Sequence, residues 1–194
     1  MHRTVRQNRK QNTHKKSERS SLGKFTNFSP IIHGKVRVTC ESNPVKIQRA
    51  IIIALHKLNG WREPYPISLS KRAETCEGEV GFEVGVAEGI DFLFLSDEIV
   101  EKLSESMTPR NQYAILDFLV IVTYHYSSQG KNTRINFDHH QLRFLFSNDG
   151  FEMYLFQSKG NRRMPLDEFI TRVINRITEE MRQQSLHPST TTEL

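Results

Sequence analysis

Alternating apolar residues along 142–156 predict two paired strands. On the first arm, every second residue is strongly apolar: Leu142, Phe144 and Phe146. The segment 147–150 reads Ser-Asn-Asp-Gly, and these residue types tolerate the positive φ angles of a tight hairpin turn. A second alternating run begins at Phe151. We therefore predict a β-hairpin in this part of the chain.

A long helix is predicted directly after this hairpin. Pro165 suits the first helical position, where its missing N–H has no intrahelical partner, and Asp167 and Glu168 favour the positive end of the helix dipole. Apolar residues then recur at steps of three and four, which places them on one helical face: Leu166, Phe169, Ile170, Val173, Ile174, Ile177 and Met181. We expect this face to pack on a sheet.

The first half of the chain also alternates between strand and helix patterns. The segment 33–40 predicts a strand, and Asn43 and Pro44 then start a helix that Gly60 ends. We interpret 61–78 as a long loop because it contains two prolines and a charged run. Two further strands, at 79–86 and 90–95, and a short helix capped by Ser96 follow.

The segment 109–126 gives two conflicting signals. Residues 118–124 are β-rich in composition, whereas Leu116, Val120 and Tyr124 follow each other at helical spacing. Thr108-Pro109 is a helix start signal. We predict a helix over 109–126.

The order of these elements predicts an α+β fold with an antiparallel-rich sheet packed by three to four helices. We assign residues 25–185 to a single α+β domain and residues 1–24 to a disordered basic tail. Residues 186–194 are expected to form a disordered C terminus. A chain of 194 residues has room for one such domain and a tail.

Positive charge is concentrated in the first 24 residues. They hold eight lysines and arginines against one acidic residue, Glu18, and therefore carry a net charge of +7. The whole chain carries +5, so the remainder carries −2. With almost no apolar residues, the tail cannot offset its ordering entropy by burial. It is expected to be disordered by itself.

A basic tail of this kind gains affinity for phosphate backbones by releasing counterions. The candidate nucleic-acid-binding residues in it are Arg3, Arg6, Arg9, Lys10, Lys15, Lys16 and Arg19. The alternative is a solubilising tail with no specific partner.

A second candidate site lies just before the predicted helix of 165–181. Lys159, Arg162 and Arg163 precede the helix N-terminus, where backbone donors and the helix dipole favour anions. Asp167 and Glu168 at the same helix start oppose a bound phosphate. We include the three basic residues among the candidate nucleic-acid-binding residues.

The triplet Asp138-His139-His140 resembles the motif after which the DHH phosphoesterase family is named. That resemblance implies a metal-dependent hydrolase, in which His125 could join one of the two histidines. The family also uses separate aspartate-rich metal motifs, and this chain has no Asp-x-Asp pair. Adjacent strand residues point to opposite faces, so His139 and His140 cannot both bind one ion without a bend. No metal or cofactor is predicted.

The two cysteines, Cys40 and Cys76, are too few for a disulfide framework or a four-cysteine zinc site. Cys40 is expected to be a buried structural thiol, and Cys76 to lie beside glutamates that disfavour a thiolate. No catalytic residue is assigned to either cysteine. No apolar run approaches the length of a membrane span. We expect a soluble, cytoplasmic protein without membrane contact.

Together these features favour a non-enzymatic, regulatory or binding protein associated with RNA or DNA through its basic tail. A protein-interaction or assembly factor that does not bind nucleic acid is the alternative. A small metal-dependent hydrolase is the third hypothesis, with enzymatic activity left open.

Overall fold

One curled antiparallel sheet of eight strands organises the chain. The computed structural model describes residues 21–68, 75–128 and 131–193. The strands are β1 (Gly34–Thr39), β2 (Arg62–Ser68), β3 (Thr75–Glu88), β4 (Asp91–Phe94), β5 (Ile115–Ser128), β6 (Lys131–Ser147), β7 (Gly150–Lys159) and β8 (Ser189–Glu193). The helices are α1 (Pro44–His56), α2 (Asp97–Ser106) and α3 (Leu166–Gln183). The strand order is β2-β3-β5-β6-β7-β1-β8, and β4 pairs with β3.

The prediction of an α+β fold is therefore wrong. In the described part of the chain the sheet dominates, forming a half-barrel that only three helices accompany. Each neighbouring pair of strands is antiparallel. The prediction counted as helix or loop several residues that in fact lengthen the sheet.

The largest single error concerns 109–126, predicted as a helix. Residues Ile115–Ser128 form β5, a central strand between β3 and β6. A spacing of four fits both a helix and a strand, because four is also two strand periods. The side chains of Leu116, Val120 and Tyr124 are fully buried and share one face of the strand. The β-rich composition of 118–124 was the better signal.

The predicted loop at 61–78 is also largely strand. It contains β2 and the start of β3, and β2 is an edge strand. Prolines are tolerated at an edge, because the N–H groups they lack are not needed on the side that has no neighbour. Tyr65 and Ile67 alternate with Pro64 and Pro66 and bury their side chains.

The predicted hairpin and the last helix are confirmed. The turn at 147–150 joins β6 and β7, and α3 buries the predicted apolar stripe. In α1, Asn43 caps the helix by accepting a hydrogen bond from the Val45 amide at 2.9 Å. The main core lies between one face of the sheet and the helices, with α1 packed against α3. Cys40 is buried and free, as expected, whereas the side chain of Cys76 lies outside the description.

The chain ends differ from the predicted boundaries. Residues 189–193, assigned to a disordered C terminus, form β8, which pairs with β1. Residues 1–20 of the predicted tail lie outside the described residues. No helix in the described ranges is long and apolar enough to cross a membrane.

Residues 21–33, which we call the strap, cross the sheet face opposite the helices. Asp117 of β5 is fully buried and accepts two hydrogen bonds of 2.7 Å from the guanidinium of Arg143 on β6. The amide of Phe25 also donates to Asp117, at 2.7 Å, and Arg143 donates to the Phe25 carbonyl at 3.1 Å. The Arg143 guanidinium then lies 4.2 Å from the centre of the Phe28 ring. An internal ion pair thus holds the strap on the sheet.

Replacing Phe28 with alanine should loosen the strap without unfolding the body. A cation–π contact at a partly exposed site contributes about 0.5–1 kcal/mol, so the free energy of unfolding should fall by about that amount. Hydrogen exchange at the Phe25 amide should become faster, while amides of β5 stay protected. Phe137→Ala, which removes a phenylalanine outside the strap, is the control. Unchanged exchange at Phe25 would show that Phe28 does not hold the strap.

Candidate nucleic-acid interface

A buried carboxylate organises the loop between β7 and α3. Asp138 on β6 is fully buried and accepts hydrogen bonds from the hydroxyl of Tyr124 at 2.7 Å and the amides of Arg162 at 3.0 Å and Arg163 at 3.1 Å. The side-chain amide of Gln157 approaches the same carboxylate at 3.4 Å. We call this arrangement the Asp138 cradle. It fixes the loop against the sheet.

The Asp138 cradle changes the interpretation of the predicted anion site. Successive backbone N–H groups form an anion-binding concavity, which is the feature the sequence suggested for a phosphate. Here the amides of Arg162 and Arg163 already bind the carboxylate of Asp138, and the Met164 amide donates to the Tyr124 hydroxyl at 2.9 Å. Any contact of this loop with a phosphate must therefore come from side chains rather than from these three amides.

Gly160 allows the loop to approach Asp138 closely. Its φ angle is +102°, in the region that favours glycine. A Cβ atom at this position would lie 2.1 Å from Oδ1 of Asp138 and 2.5 Å from the Phe137 carbonyl oxygen. The cradle therefore requires glycine at this turn.

The two histidines of the Asp-His-His triplet lie on opposite sides of the sheet. His140 is fully buried on the helix side, where its ring stacks on Phe169 at 4.0 Å and 19°. Neither of its ring nitrogens has a hydrogen-bond partner among the residues that the structure describes. His139 lies on the other face, with its ring centre 5.0 Å from that of Phe137. This separation occurs although the register with β7 shifts between the two histidines.

This geometry gives the metal hypothesis no support. Among the described residues, no group of three His, Cys, Asp or Glu side chains could hold a metal ion. The carboxylate of Asp138 is already engaged by the loop amides. The resemblance to the phosphoesterase motif thus covers only the sequence of the triplet Asp138-His139-His140.

Four side chains define what we call the basic surface, on the sheet face opposite α3: Arg134, Phe137, His139 and Lys159. His139 and Lys159 are paired across β6 and β7. Phe137 is 38% exposed, and the guanidinium carbon of Arg134 lies 5.4 Å from its ring centre. The surface therefore combines an accessible aromatic ring with cations on both sides.

After burial, cations have the largest effect on the pKa values of the histidines on this face. Burial lowers the pKa of His139 first, and the charges of Lys159 and Arg134 lower it further. The pKa of His125 is lowered by burial and then by Arg62 and Arg134. Asp138 and Glu83 oppose the shift of His139, and Glu79 and Glu83 oppose that of His125, each with a smaller effect than the cations. An anion near these side chains would meet a favourable potential.

Positive charge also lies near His33, at the end of the strap. His33 accepts a hydrogen bond from the Gln157 amide at 3.0 Å and stacks on Phe156 at 5.1 Å. Its pKa is lowered by burial and then by Arg162. The side chain of Arg162 thus adds positive charge beside the basic surface, while its backbone amide donates a hydrogen bond to Asp138.

The structure brings together only part of the predicted residue set. Lys159 lies in the basic surface, and Arg162 and Arg163 lie on the adjoining loop. The remaining predicted residues lie outside the described ranges: Arg3, Arg6, Arg9, Lys10, Lys15, Lys16 and Arg19. Sequence reasoning missed Arg134 and Phe137, because no local motif marks either of them as a site residue. Regular alternation along β6 would place Arg134 on the face opposite Phe137, and only the register shift between β5 and β6 near His125 brings both to one face.

A groove of about 260 Å³ lies beside α3 and the β2 edge, but its charges are mutually paired. Arg176 lies 4.0 Å over the ring of Trp61 and 3.8 Å from Glu179. Arg172 forms ion pairs with Glu63 and Glu168. The groove therefore offers a polyanion less than the basic surface does.

Comparison of the chain with protein-family models, curated proteins and solved structures finds no match. The functional argument therefore rests on the geometry of the described residues.

Proposed function

We propose that this protein binds single-stranded nucleic acid through the basic surface, with the basic residues of 1–20 adding contacts to the phosphate backbone. The observation that carries the proposal is the accessible ring of Phe137 between Arg134, His139 and Lys159. Proteins that bind single strands without sequence preference combine aromatic rings, on which bases stack, with cations that follow the backbone.

Single strands suit this surface better than a duplex. A base can stack on an aromatic ring only where it is not enclosed between its own neighbours. A sheet face with one exposed ring also offers no element that would enter a major groove. The role requires no catalytic residue, and a non-enzymatic, cytoplasmic protein remains our prediction.

Neutralising two cations of the basic surface should weaken binding and flatten its salt dependence. For Arg134→Gln/Lys159→Gln, loss of two phosphate contacts reduces the slope of log K against log salt by about 1.4 and the affinity at about 0.1 M salt roughly 20-fold. The measurement is fluorescence anisotropy with a labelled poly(U) oligonucleotide of about 15 nucleotides across a salt series. Lys46→Gln/Arg182→Gln, which removes two exposed cations from α1 and α3, is the matched control.

Phe137→Ala separates stacking from charge. It should lower the affinity about tenfold at every salt concentration and leave the slope unchanged, because stacking releases no counterions. If both double variants lose affinity equally, binding is diffuse and the basic surface is not the site. Failure of the wild type to bind poly(U) or poly(dT) at about 0.1 M salt would end the proposal.

Exposed apolar residues favour the protein-interaction alternative as a second candidate. Ile31 is 60% exposed and Ile32 40% exposed at the end of the strap, beside the start of β1. Adjacent exposed isoleucines at a sheet margin suit contact with another protein. A stable complex that survives high salt and is lost in Ile31→Ser/Ile32→Ser would support this candidate over nucleic acid.

A further inference from the structure

A surface of opposite charge lies around the turn between β3 and β4 and the outer side of α2. We call it the acidic surface: Glu88, Asp91, Glu98, Glu101 and Glu105. The three glutamates of α2 are spaced by three and four residues, so they share one helical face. Glu88 and Asp91 are directly paired in the β3–β4 hairpin.

Lys102 connects the two parts of the acidic surface. It donates a hydrogen bond of 2.7 Å to Glu98, and its pKa is raised first by that bond and further by the charge of Glu88. Lys102 and Lys24, an exposed strap residue, offset two of the five negative charges. The acidic surface therefore keeps a net negative charge.

Two large apolar side chains are exposed within the same hairpin. Ile90 is 68% exposed at the turn, and Phe94 is 61% exposed at the end of β4. Alternation along β4 places Phe94 on the same face as Phe92, which contacts Phe25 of the strap, whereas Glu88 and Asp91 point to the other face. Ile90, at the turn itself, adjoins the acids, and an exposed apolar turn beside acid suits a basic segment. Lysine and arginine side chains can cover apolar surface with their stems and place their charges near carboxylates or over a ring.

The chain itself supplies a basic segment at this point. The first described residue, Ser21, accepts a hydrogen bond from the amide of Gly89 at 3.4 Å, and Gly89 lies in the β3–β4 turn. The amide of Gly23 donates to the Ala87 carbonyl at 2.7 Å. Residues 1–20 contain seven lysines and arginines against Glu18. The most basic part of the chain thus joins the body beside its acidic surface.

We infer that residues 1–20 dock on the acidic surface of their own chain and that Ile90 lies within the covered area. Charge complementarity and the point of attachment select this occupant. A segment tethered beside its site has an effective concentration that a free basic peptide does not match. Twenty residues span at most about 70 Å when extended, which exceeds the length of any strand of this sheet.

The consequence for nucleic acid rests on the proposed function. The basic surface lies at the opposite end of the strands: His139 is six residues from Leu145 on β6, about 20 Å along the strand, and Leu145 pairs with Ile115 near the strap anchor. Residues 1–20 docked on the acidic surface are held away from the basic surface. A nucleic acid must then compete with the glutamates for these lysines and arginines, so docking is autoinhibitory.

Carbodiimide cross-linking of dilute full-length protein tests the docking directly. It joins lysines to carboxylates that touch, and mass spectrometry should find Lys10, Lys15 or Lys16 joined to the acidic surface. Addition of 1 M NaCl should remove these links, because the Debye length falls to about 3 Å. The variant Asp91→Lys/Glu101→Lys/Glu105→Lys should lose them too, while the Glu98–Lys102 pair is kept.

The matched control reverses three exposed acids elsewhere: Glu41, Asp167 and Glu179, each to lysine. It should keep the cross-links of the wild type. The inference is overturned if, in the wild type, links to Glu41, Asp167 and Glu179 are as frequent as links to the acidic surface. It is also overturned if all links join two different chains in a mixture with isotope-labelled protein.

Binding to poly(U) in low salt then tests the autoinhibition separately. The acidic-surface variant should bind several-fold more tightly than the control variant, which carries the same added charge. Equal affinities would overturn the autoinhibition. Cross-links without any poly(U) binding would leave the docking intact and refute the proposed function, whereas poly(U) binding without cross-links would refute the docking alone.

Discussion

Asp138→Ala should destabilise the protein by roughly 4 kcal/mol, because it leaves several buried hydrogen-bond donors without an acceptor. The carboxylate accepts hydrogen bonds from the Tyr124 hydroxyl and from the amides of Arg162 and Arg163. A buried donor without a partner costs about 1–3 kcal/mol, and removal of one partner from a buried charged network costs about 3–5 kcal/mol. Urea unfolding followed by circular dichroism measures the loss.

Asp138→Asn gives an intermediate test if the alanine variant does not fold. The asparagine keeps one acceptor oxygen but turns an NH₂ group towards the loop, so we expect a loss of about 2 kcal/mol. Gly160→Ala should act on the same cradle, because its Cβ would collide with Asp138. Asp149→Asn is the control: Asp149 pairs with Arg37 at 3.0 Å with both side chains more than half exposed, and such pairs add little to stability. Equal losses for Asp138→Asn and Asp149→Asn would contradict the role of the cradle.

Acid should destabilise the protein through His140, by about 3 kcal/mol between pH 6.5 and pH 4. Burial lowers the pKa of His140 from 6.5 to about 4, with smaller contributions from His139, Arg162 and His33, and Asp138 opposes the shift. As the pH falls below 6.5, the His140 imidazole binds a proton in the unfolded chain, whereas in the folded chain it stays neutral until about pH 4. Each pH unit in this window therefore lowers the free energy of unfolding by about 1.4 kcal/mol.

His140→Phe should reduce this acid sensitivity. The phenyl ring can stack on Phe169 as the imidazole does, and the substitution removes two buried nitrogens that have no hydrogen-bond partner in the described ranges. Urea unfolding at pH 7.5 and pH 4.5 measures the difference for each variant. His33, His125 and His139 also have lowered pKa values, so a smaller acid loss should remain. His187→Gln, an exposed histidine, is the control, and an acid loss in His140→Phe as large as in the wild type would refute the assignment.

The local elements with one clear period were predictable from the sequence. The stripe from Phe169 to Met181 and the turn at 147–150 could be predicted because each depends on contacts close in sequence. The segment 109–126 was predicted wrongly, because Leu116, Val120 and Tyr124 satisfy both periods and the β-rich composition of 118–124 was given too little weight. Only pairing with β3 and β6 decided that it is a strand.

The candidate site shows the same limit. Sequence reasoning found Lys159, Arg162 and Arg163 from their position before a helix. It had no means of knowing that Asp138, more than twenty residues earlier, uses the amides of Arg162 and Arg163. Lys159 lies near this part of β6 only because β6 pairs with β7. Arg134 joins the surface because its guanidinium lies over the ring of Phe137.

The sequence by itself determined the helices α1, α2 and α3, the β6–β7 hairpin and the separation of a basic segment from a nearly neutral body. These follow from the spacing of apolar residues, from capping residues and from composition, which act over a few positions. The tertiary structure alone decided that the sheet dominates, that Asp138 closes the loop before α3, and that Ser21 meets the turn at Gly89. Those features depend on strand pairings between distant residues, whose free energy comes from burial on both faces of the sheet and has no local signal.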